Sequence, residues 1–411
     1  MTDPTTTAEM PGSPEPEPPA PPGPPAEGRL MTPTFLALSA AVLAFFVSGA
    51  VFLPVVPRFT VGPLGGDDFA VGVVLGAFAI SSLVMRPFAG RLADRRGRRV
   101  GLITGALITV AASFGHLLAG SVELLIVMRL LLGVGEALFF VAGFAAATDL
   151  APAHRRGEAI SLISLSLYLG LAIGPVIGET LQGSLGYEAA WVASGVIALV
   201  AVVLSWFAPE TLPKDQRTSS QSGQRLLHRR GIEPGLLLLC GVWGMGPFFA
   251  FLPLLADELH LGGAGTFFGI FAIIVVVLRV IGARLPDRIG AARLSGTALV
   301  VSAVGMLLAG LAPSFNGLLI ATVIFAVGVA FTFPAIMAMA VIGTPADERG
   351  SVVGTAGLFV DAAFGLSPAV LGLLARSSGY PSTFLVSAVI AGIGAAWLLI
   401  RRPGRVVPAT A

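Results

Sequence analysis

The chain has 411 residues, of which 55% are hydrophobic and 12% charged, with a formal net charge of +2 and a mean hydropathy of +0.89. A soluble domain carries about 25% charge, so this composition excludes an ordinary water-soluble enzyme. The single cysteine, Cys240, excludes an intramolecular disulfide and a cysteine-based metal cluster.

Residues 1–33 are expected to form a disordered cytoplasmic tail. The Pro/Glu/Ala/Gly tract from Glu9 to Glu27 cannot pack a core, and it lacks the basic start and cleavage pattern of a signal peptide. Twelve stretches then approach the roughly 20 mostly apolar residues a spanning helix needs. They are Thr34–Val56, Ala70–Gly90, Val100–Gly120, Val122–Ala147, Glu158–Leu181, Ala189–Ala208, Pro234–Leu255, Gly265–Ala283, Arg293–Leu311, Asn316–Ile342, Ser351–Ser377 and Ser382–Ile400. The frequent Gly and Pro are compatible with helices, because lipid offers no competing hydrogen bonds and tight helix packing favours small residues. Residues 34–208 are predicted to form one six-helix bundle and residues 234–401 a second. Between them, residues 209–233, with Lys214, Gln216, Ser219 and Ser220, read as a flexible cytoplasmic linker, and residues 402–411 as a further cytoplasmic tail.

Of the 25 Lys and Arg, twenty fall on the side of this layout that carries the tails, and only Arg58 and Arg376 fall opposite; Arg86, Arg129 and Arg279 lie within spans. The bias predicts that both termini are cytoplasmic. The basic balance is then a topology signal and implies no nucleic-acid partner. Arg outnumbers Lys, with Lys214 alone, and Ala and Gly abound, which suits a GC-rich bacterial genome and the bacterial cytoplasmic membrane.

The densest charge, Gly90-Arg91-Leu92-Ala93-Asp94-Arg95-Arg96-Gly97-Arg98-Arg99, reads as a turn between the second and third spans. Arg91, Leu92, Asp94, Arg95 and Gly97 recur 193 positions later as Arg284, Leu285, Asp287, Arg288 and Gly290. The same offset relates Arg86 to Arg279, Pro175 to Pro368, Gly186-Tyr187 to Gly379-Tyr380 and Ser194 to Ser387. The first spans align at 199 instead, Phe52-Leu53-Pro54 with Phe251-Leu252-Pro253. Such a parallel duplication implies two bundles related by an axis along the membrane normal.

On these residues the chain resembles the major facilitator superfamily (MFS) over nearly its full length after the tail. Gly90 to Arg99 matches that family's signature between helices 2 and 3. Arg129-Leu-Leu-Leu-Gly133-Val-Gly135 is similar to its helix 4 motif, with Leu132 where a Gln is common. Gly170-Leu-Ala-Ile-Gly174-Pro175-Val-Ile-Gly178-Glu179 resembles the helix 5 motif of the twelve-helix drug:proton antiporters, with Glu179 where a second Gly is usual. The resemblance implies an all-α membrane protein of twelve helices in two pseudo-symmetric bundles. It also implies that Asp94 contacts the start of the eleventh span near Gly350 and helps hold an outward-open state, with Arg95 and Arg98 completing the ion network. By internal symmetry, Asp287 and Arg288 would face the start of the fifth span near Gly157.

A charge at the centre of a spanning helix costs about 2.5–3.5 kcal/mol, so a partner or a function is expected. Arg86 and Arg279 are repeated and therefore read as scaffold. Arg129, Glu136, Glu179 and Asp361 are not: their counterparts are Thr322, Val329, Gly372 and Tyr168. Arg129 and Glu136 lie two turns apart on one face with Gly133 between them. Glu136 reads as a proton carrier tuned by Arg129, or the two as a static ion pair. Asp361, the one mid-helix acid of the second half, would hold a cation or serve as the proton site. Glu179 reads as an outer residue that contributes to transport or simply reaches water, and His116 as interfacial. Gly170, Gly174 and Gly178 form a smooth stripe for close packing beside the kink expected at Pro175.

No phosphate-binding loop, hydrolytic triad or metal-ligand cluster stands out, so neither enzyme activity, cofactor nor metal is expected. Asn316 is the only Asn, while Phe45, Phe46, Phe139, Phe140 and Phe144 crowd the first and fourth spans, which favours a hydrophobic ligand. The expected function is proton-coupled export of a hydrophobic or amphipathic small molecule by a monomer in the bilayer. The alternatives are an uptake symporter, a sugar or metabolite exporter of the same superfamily, and a transporter-derived sensor that binds without transport.

Overall fold

The computed structural model describes residues 30–152, 155–212, 228–282, 285–342, 344 and 348–400. The first half holds α1 (Pro33–Val61), α2 (Asp68–Arg96), α3 (Arg98–Gly115) with a 3-10 turn at His116–Leu118, α4 (Val122–Leu150), α5 (Arg156–Leu185) and α6 (Tyr187–Phe207). The second half holds α7 (Arg229–Val242), α8 (Met245–Ala250), α9 (Leu252–Glu258), α10 (Gly265–Ile281), α11 (Leu285–Ile289), α12 (Ala291–Leu311), α13 (Phe315–Val341), α14 (Arg349–Ser378) and α15 (Tyr380–Ile400). Among the described residues every regular element is helical, and eleven helical stretches are long and apolar enough to cross a membrane. The shortfall from the twelve expected is α10, an apolar helix of 17 residues, about 26 Å long at 1.5 Å per residue.

Three boundaries differ from expectation. The charged stretch after Gly90 is not a loop: α2 runs through it to Arg96, and the whole turn is Gly97, whose φ of 108° suits glycine. Arg and Leu are good helix formers, so the helix continues past its apolar part. The seventh span is broken into α7, α8 and α9, where Gly244 and Gly246 weaken the helix and Pro247 and Pro253 lack the N–H its ladder requires. The expected linker ends earlier, since α7 already begins at Arg229; residues 213–227 lie outside the described residues, as do 1–29 and 401–411.

The duplication is written in the backbone. Gly97 and Gly290 both take positive φ, 108° and 93°, before α3 and α12; Gly186 and Gly379 do so before α6 and α15, at 90° and 74°. Ser121 and Ser314 cap α4 and α13 by accepting from the backbone N–H of Leu124 (3.3 Å) and Gly317 (3.2 Å). Within the first bundle α5 lies on α1 through its glycine stripe: Gly170 abuts Phe46, Gly174 abuts Ala50, and Gly178 abuts the carbonyl of Val51. Any side chain there would separate the two helices.

Candidate functional site at the bundle interface

The bundles meet through two antiparallel helix pairs, α2 with α14 and α5 with α10. Gly72 lies against the Pro368 carbonyl and Gly76 against the Gly365 carbonyl, so α2 and α14 are in backbone contact near the α1–α2 turn. Toward the α2–α3 turn they part. A Cβ added at Gly90, Gly354 or Gly357 would meet no heavy atom within 4 Å. Among the described residues the close contacts of α2 with α14 gather at one end, the closed end, and thin out toward the other, the open end.

Polar contacts reinforce the closed end. Arg58, near the end of α1, donates from Nε to Asp257 Oδ2 (2.5 Å), from Nη2 to Asp257 Oδ1 (2.7 Å) and from Nη1 to Glu179 Oε1 (2.6 Å). Its side chain is only 8% exposed, and its fork geometry allows the paired contact to Asp257. Glu179 in turn accepts from the N–H groups of Ala264 (2.8 Å) and Gly265, which caps α10 where the helix dipole favours an anion. Arg376 pairs with Asp67 (2.9 Å), and the Tyr380 hydroxyl donates to Asp68 (3.0 Å). Apart from Arg58–Glu179, which links α1 to α5 within the first bundle, each of these bonds crosses between bundles. Arg58 and Asp257 are separated by 199 positions, the offset at which the first spans of the two halves superimpose.

Where the bundles begin to part, Arg86 of α2 pairs with Asp361 of α14 (3.0 Å) and lies over the Phe140 ring of α4 (4.8 Å). Asp361 is 13% exposed. Glu136, one turn before Phe140, accepts a short hydrogen bond from Ser82 of α2. The mirrored contact is Arg279 of α10 over the Tyr168 ring of α5 (4.3 Å). These are the same two positions 193 residues displaced, with an aromatic ring in place of the carboxylate.

The expected pairing of Arg129 with Glu136 does not form. Two helical turns separate them by about 10 Å along α4, and each finds a nearer partner: Glu136 takes Ser82, while Arg129, buried, lies over Phe78 (5.0 Å) and Phe52 (5.8 Å). Among the described residues no carboxylate pairs with Arg129. His116 is buried instead of interfacial, between Phe52 (4.6 Å) and Trp191 (5.1 Å), with Nδ1 against the Ala112 carbonyl (2.7 Å). Glu179 does not project into water but holds Arg58 and the α10 end. Phe45 and Phe139 stack on each other in the first bundle's core and leave Phe46, Phe140 and Phe144 nearer the interface.

At the open end, Asp94 pairs with Arg98 (2.5 Å), which also reaches Asp149 (3.2 Å); Glu210 accepts from the backbone N–H of Arg98 (2.9 Å) and Arg99 (3.3 Å). Among the described residues Asp94 makes no polar contact to α14, in contrast to the expected closure onto its start. Arg95 and Arg288 are exposed. Asp287 lies in α11 with its side chain outside the described residues, as is Arg284 altogether. Sequence reasoning missed Arg58, Asp67, Asp68, Asp257, Arg376 and Tyr380, although Arg58 and Arg376 stood out as the two bases opposite the other twenty. It also missed Asp149 and Glu210, which carried no motif.

The family model of the Major Facilitator Superfamily matches residues 37–294 and again 235–411. The chain belongs to the Major Facilitator Superfamily. It is 29% identical over 381 residues to an uncharacterized MFS-type transporter of Salmonella typhimurium, covering 90% of this chain and 97% of the relative. It is 28% identical over 355 residues to one of Burkholderia mallei, covering 84% and 86%. The human organic anion transporter MFSD10 (TETRAN) shares the fold with a TM-score of 0.69 at 18% identity, over 90% of this chain and 100% of that one. An inward-facing, unoccupied bacterial homolog of the human lysosomal transporter Spinster does so at 0.74 and 17%, over 89% and 96%. The protein is thus a multi-pass membrane transporter of MFS type and not an enzyme, and its cargo is a small molecule.

Proposed function

We propose that this transporter exports a hydrophobic or amphipathic small molecule in exchange for protons, by alternating access, with both termini in the cytoplasm. The observation that carries the reading is the Arg86–Asp361 ion pair, set across the bundle interface, with Glu136 one turn before the Phe140 ring that Arg86 covers. A proton on Asp361 cancels its attraction for Arg86 and frees the guanidinium to turn to Glu136. A bond between bundles is thereby exchanged for one within the first bundle. The mirrored Arg279–Tyr168 contact has no carboxylate, so protonation acts on one interface alone. With the basic side cytoplasmic, the open end faces the cytoplasm, where an exporter collects its cargo. Phe46, Phe140 and Phe144 supply apolar surface beside the charges, and the Gly170 to Glu179 resemblance supports the export direction. Asp94, Arg95, Gly97 and Arg98 are proposed as the gate that must rearrange when the open end closes.

The test uses acidified everted vesicles and a panel of lipophilic dyes and drugs. Substrate-driven proton release that Asp361→Asn abolishes and Asp361→Glu retains is the expected result. Coupled release that persists in Asp361→Asn but fails in Glu136→Gln transfers the proton to Glu136. Flux in the opposite direction identifies an uptake symporter, and binding without flux a sensor.

A further inference from the structure

A second concave surface lies away from the transport interface, on the flank where α7 packs beside α15. It encloses about 440 Å³, within the range of small-molecule pockets. Its α7 wall is Arg229, Ile232, Leu236 and Cys240, successive turns of one helix face; its α15 wall is Ile393, Gly394 and Trp397. Gly394 faces Cys240 so closely that a side chain there would strike its Cβ, and Ile232, Leu236, Ile393 and Trp397 are between 39% and 59% exposed, so among the described residues an apolar trough is left uncovered. From Arg229 to Cys240 the trough runs about 16 Å along the axis of α7.

The mouth is polar and structured. The Trp397 indole N–H donates to Glu233 Oε1 (3.1 Å) and ties the two helices together there. Arg230 turns aside to Glu348 (3.4 Å). Arg229 is exposed at the mouth, and among the described residues no carboxylate pairs with it. The combination is an apolar trough, an indole at its entrance that engages Glu233, and the exposed Arg229 cation above it. That is the complement of an amphiphile with a negative head.

We propose that this trough is a binding site for an anionic phospholipid, with the head group on Arg229 and one acyl chain lying along Leu236 toward Cys240. The site is separate from the transport pathway, and its occupancy can be read without any transport assay. Cys240, the chain's only cysteine, lines the deep end and serves as the reporter.

The full chain is reconstituted in nanodiscs of phosphatidylcholine alone or of phosphatidylcholine with phosphatidylglycerol, and the rate of Cys240 modification by a membrane-permeant maleimide is measured. Phosphatidylglycerol is expected to slow modification about fivefold, the factor that matches roughly 1 kcal/mol for one basic residue at an anionic surface. Arg229→Gln should remove that protection. Native mass spectrometry provides an independent readout: the wild-type chain should retain phosphatidylglycerol, and Ile393→Trp, which fills the trough, should lose it. Equal rates in both lipids overturn the proposal. So does protection that survives Arg229→Gln, and so does protection in phosphatidylcholine that grows with protein density, the behaviour of a contact between two copies.

Discussion

Arg86 and Arg129 are both membrane-embedded guanidinium groups, yet their surroundings differ in kind. Arg129 lies over the faces of Phe78 and Phe52 with its buried Nε unpartnered among the described residues, and these ring contacts do not change with proton supply. Arg86 shares its charge between Phe140 and Asp361 and can lose the second. Arg86→Lys keeps the charge but not the planar stacking or the fork. It is therefore expected to reduce proton-coupled flux at least tenfold at unchanged protein level, as judged by quantitative blotting of the same vesicles. Arg129→Lys should lower the thermal transition in detergent more than it lowers flux per folded molecule. The sequence marked Glu136 and Asp361 by their lack of a charged counterpart, and that criterion did lead to the interface. It could not name their partners, because Arg86 was set aside as a repeated scaffold residue. Repetition constrains where a side chain sits; it leaves free what faces it across the axis, where Asp361 has replaced the ring that Tyr168 provides.

At the level of helices, hydropathy made the spans legible because the lipid requirement is written over some twenty consecutive residues. Their ends were less so. An arginine-rich helix end and an arginine-rich loop have the same composition, and only the single positive φ at Gly97 separates them. Gly97 and Gly290 provide a matched test. Alanine at either must enter a backbone region costing on the order of 1–3 kcal/mol, but at Gly97 its Cβ would also strike the Glu210 carboxylate, whereas at Gly290 it meets nothing within 4 Å. Gly97→Ala should therefore lower the melting temperature in detergent more than Gly290→Ala; equal losses would dismiss the Glu210 contact. The break between α7 and α9 was hinted at by Gly244, Pro247 and Pro253, yet Pro54 and Pro57 sit inside the unbroken α1, so proline alone did not decide it. For the α5 stripe, Gly174→Leu would drive Ala50 and α1 outward. The expected loss is about 1–3 kcal/mol, visible as a reduced monodisperse fraction in size-exclusion chromatography.

At the scale of the molecule, the polar contacts among the described residues are distributed unevenly. Arg58, Glu179, Asp257, Asp67, Arg376, Asp68 and Tyr380 all tie the bundles at one end, whereas the Asp94, Arg98 and Asp149 contacts at the other remain within the first bundle. Spin labels on Ser184 and His260 should report a short distance, and labels on Arg95 and Val353 a long one, in pulsed electron resonance on a Cys240→Ser background. Arg58→Ala leaves two carboxylates facing each other. Asp257 is 46% exposed and water screens it, so the cost is discounted to about 1–2 kcal/mol. That is enough to change the ratio of the two conformers by roughly 5–30-fold, read as a longer Ser184–His260 distance and a shorter Arg95–Val353 one. Unchanged distances would show that the glycine contacts of α2 and α14 hold the closed end without help.

The bond between Arg58 and Asp257 also carries a history. Corresponding residues that meet on a two-fold axis are, in a dimer of identical chains, the same residue facing its own copy. There an arginine would have met an arginine, or an aspartate an aspartate, and the contact would have been repulsive. This bond could exist only once the two halves could change separately, as joining them in one chain allows. A tandem built from two copies of the first half would restore the older condition and set Arg58 against its twin.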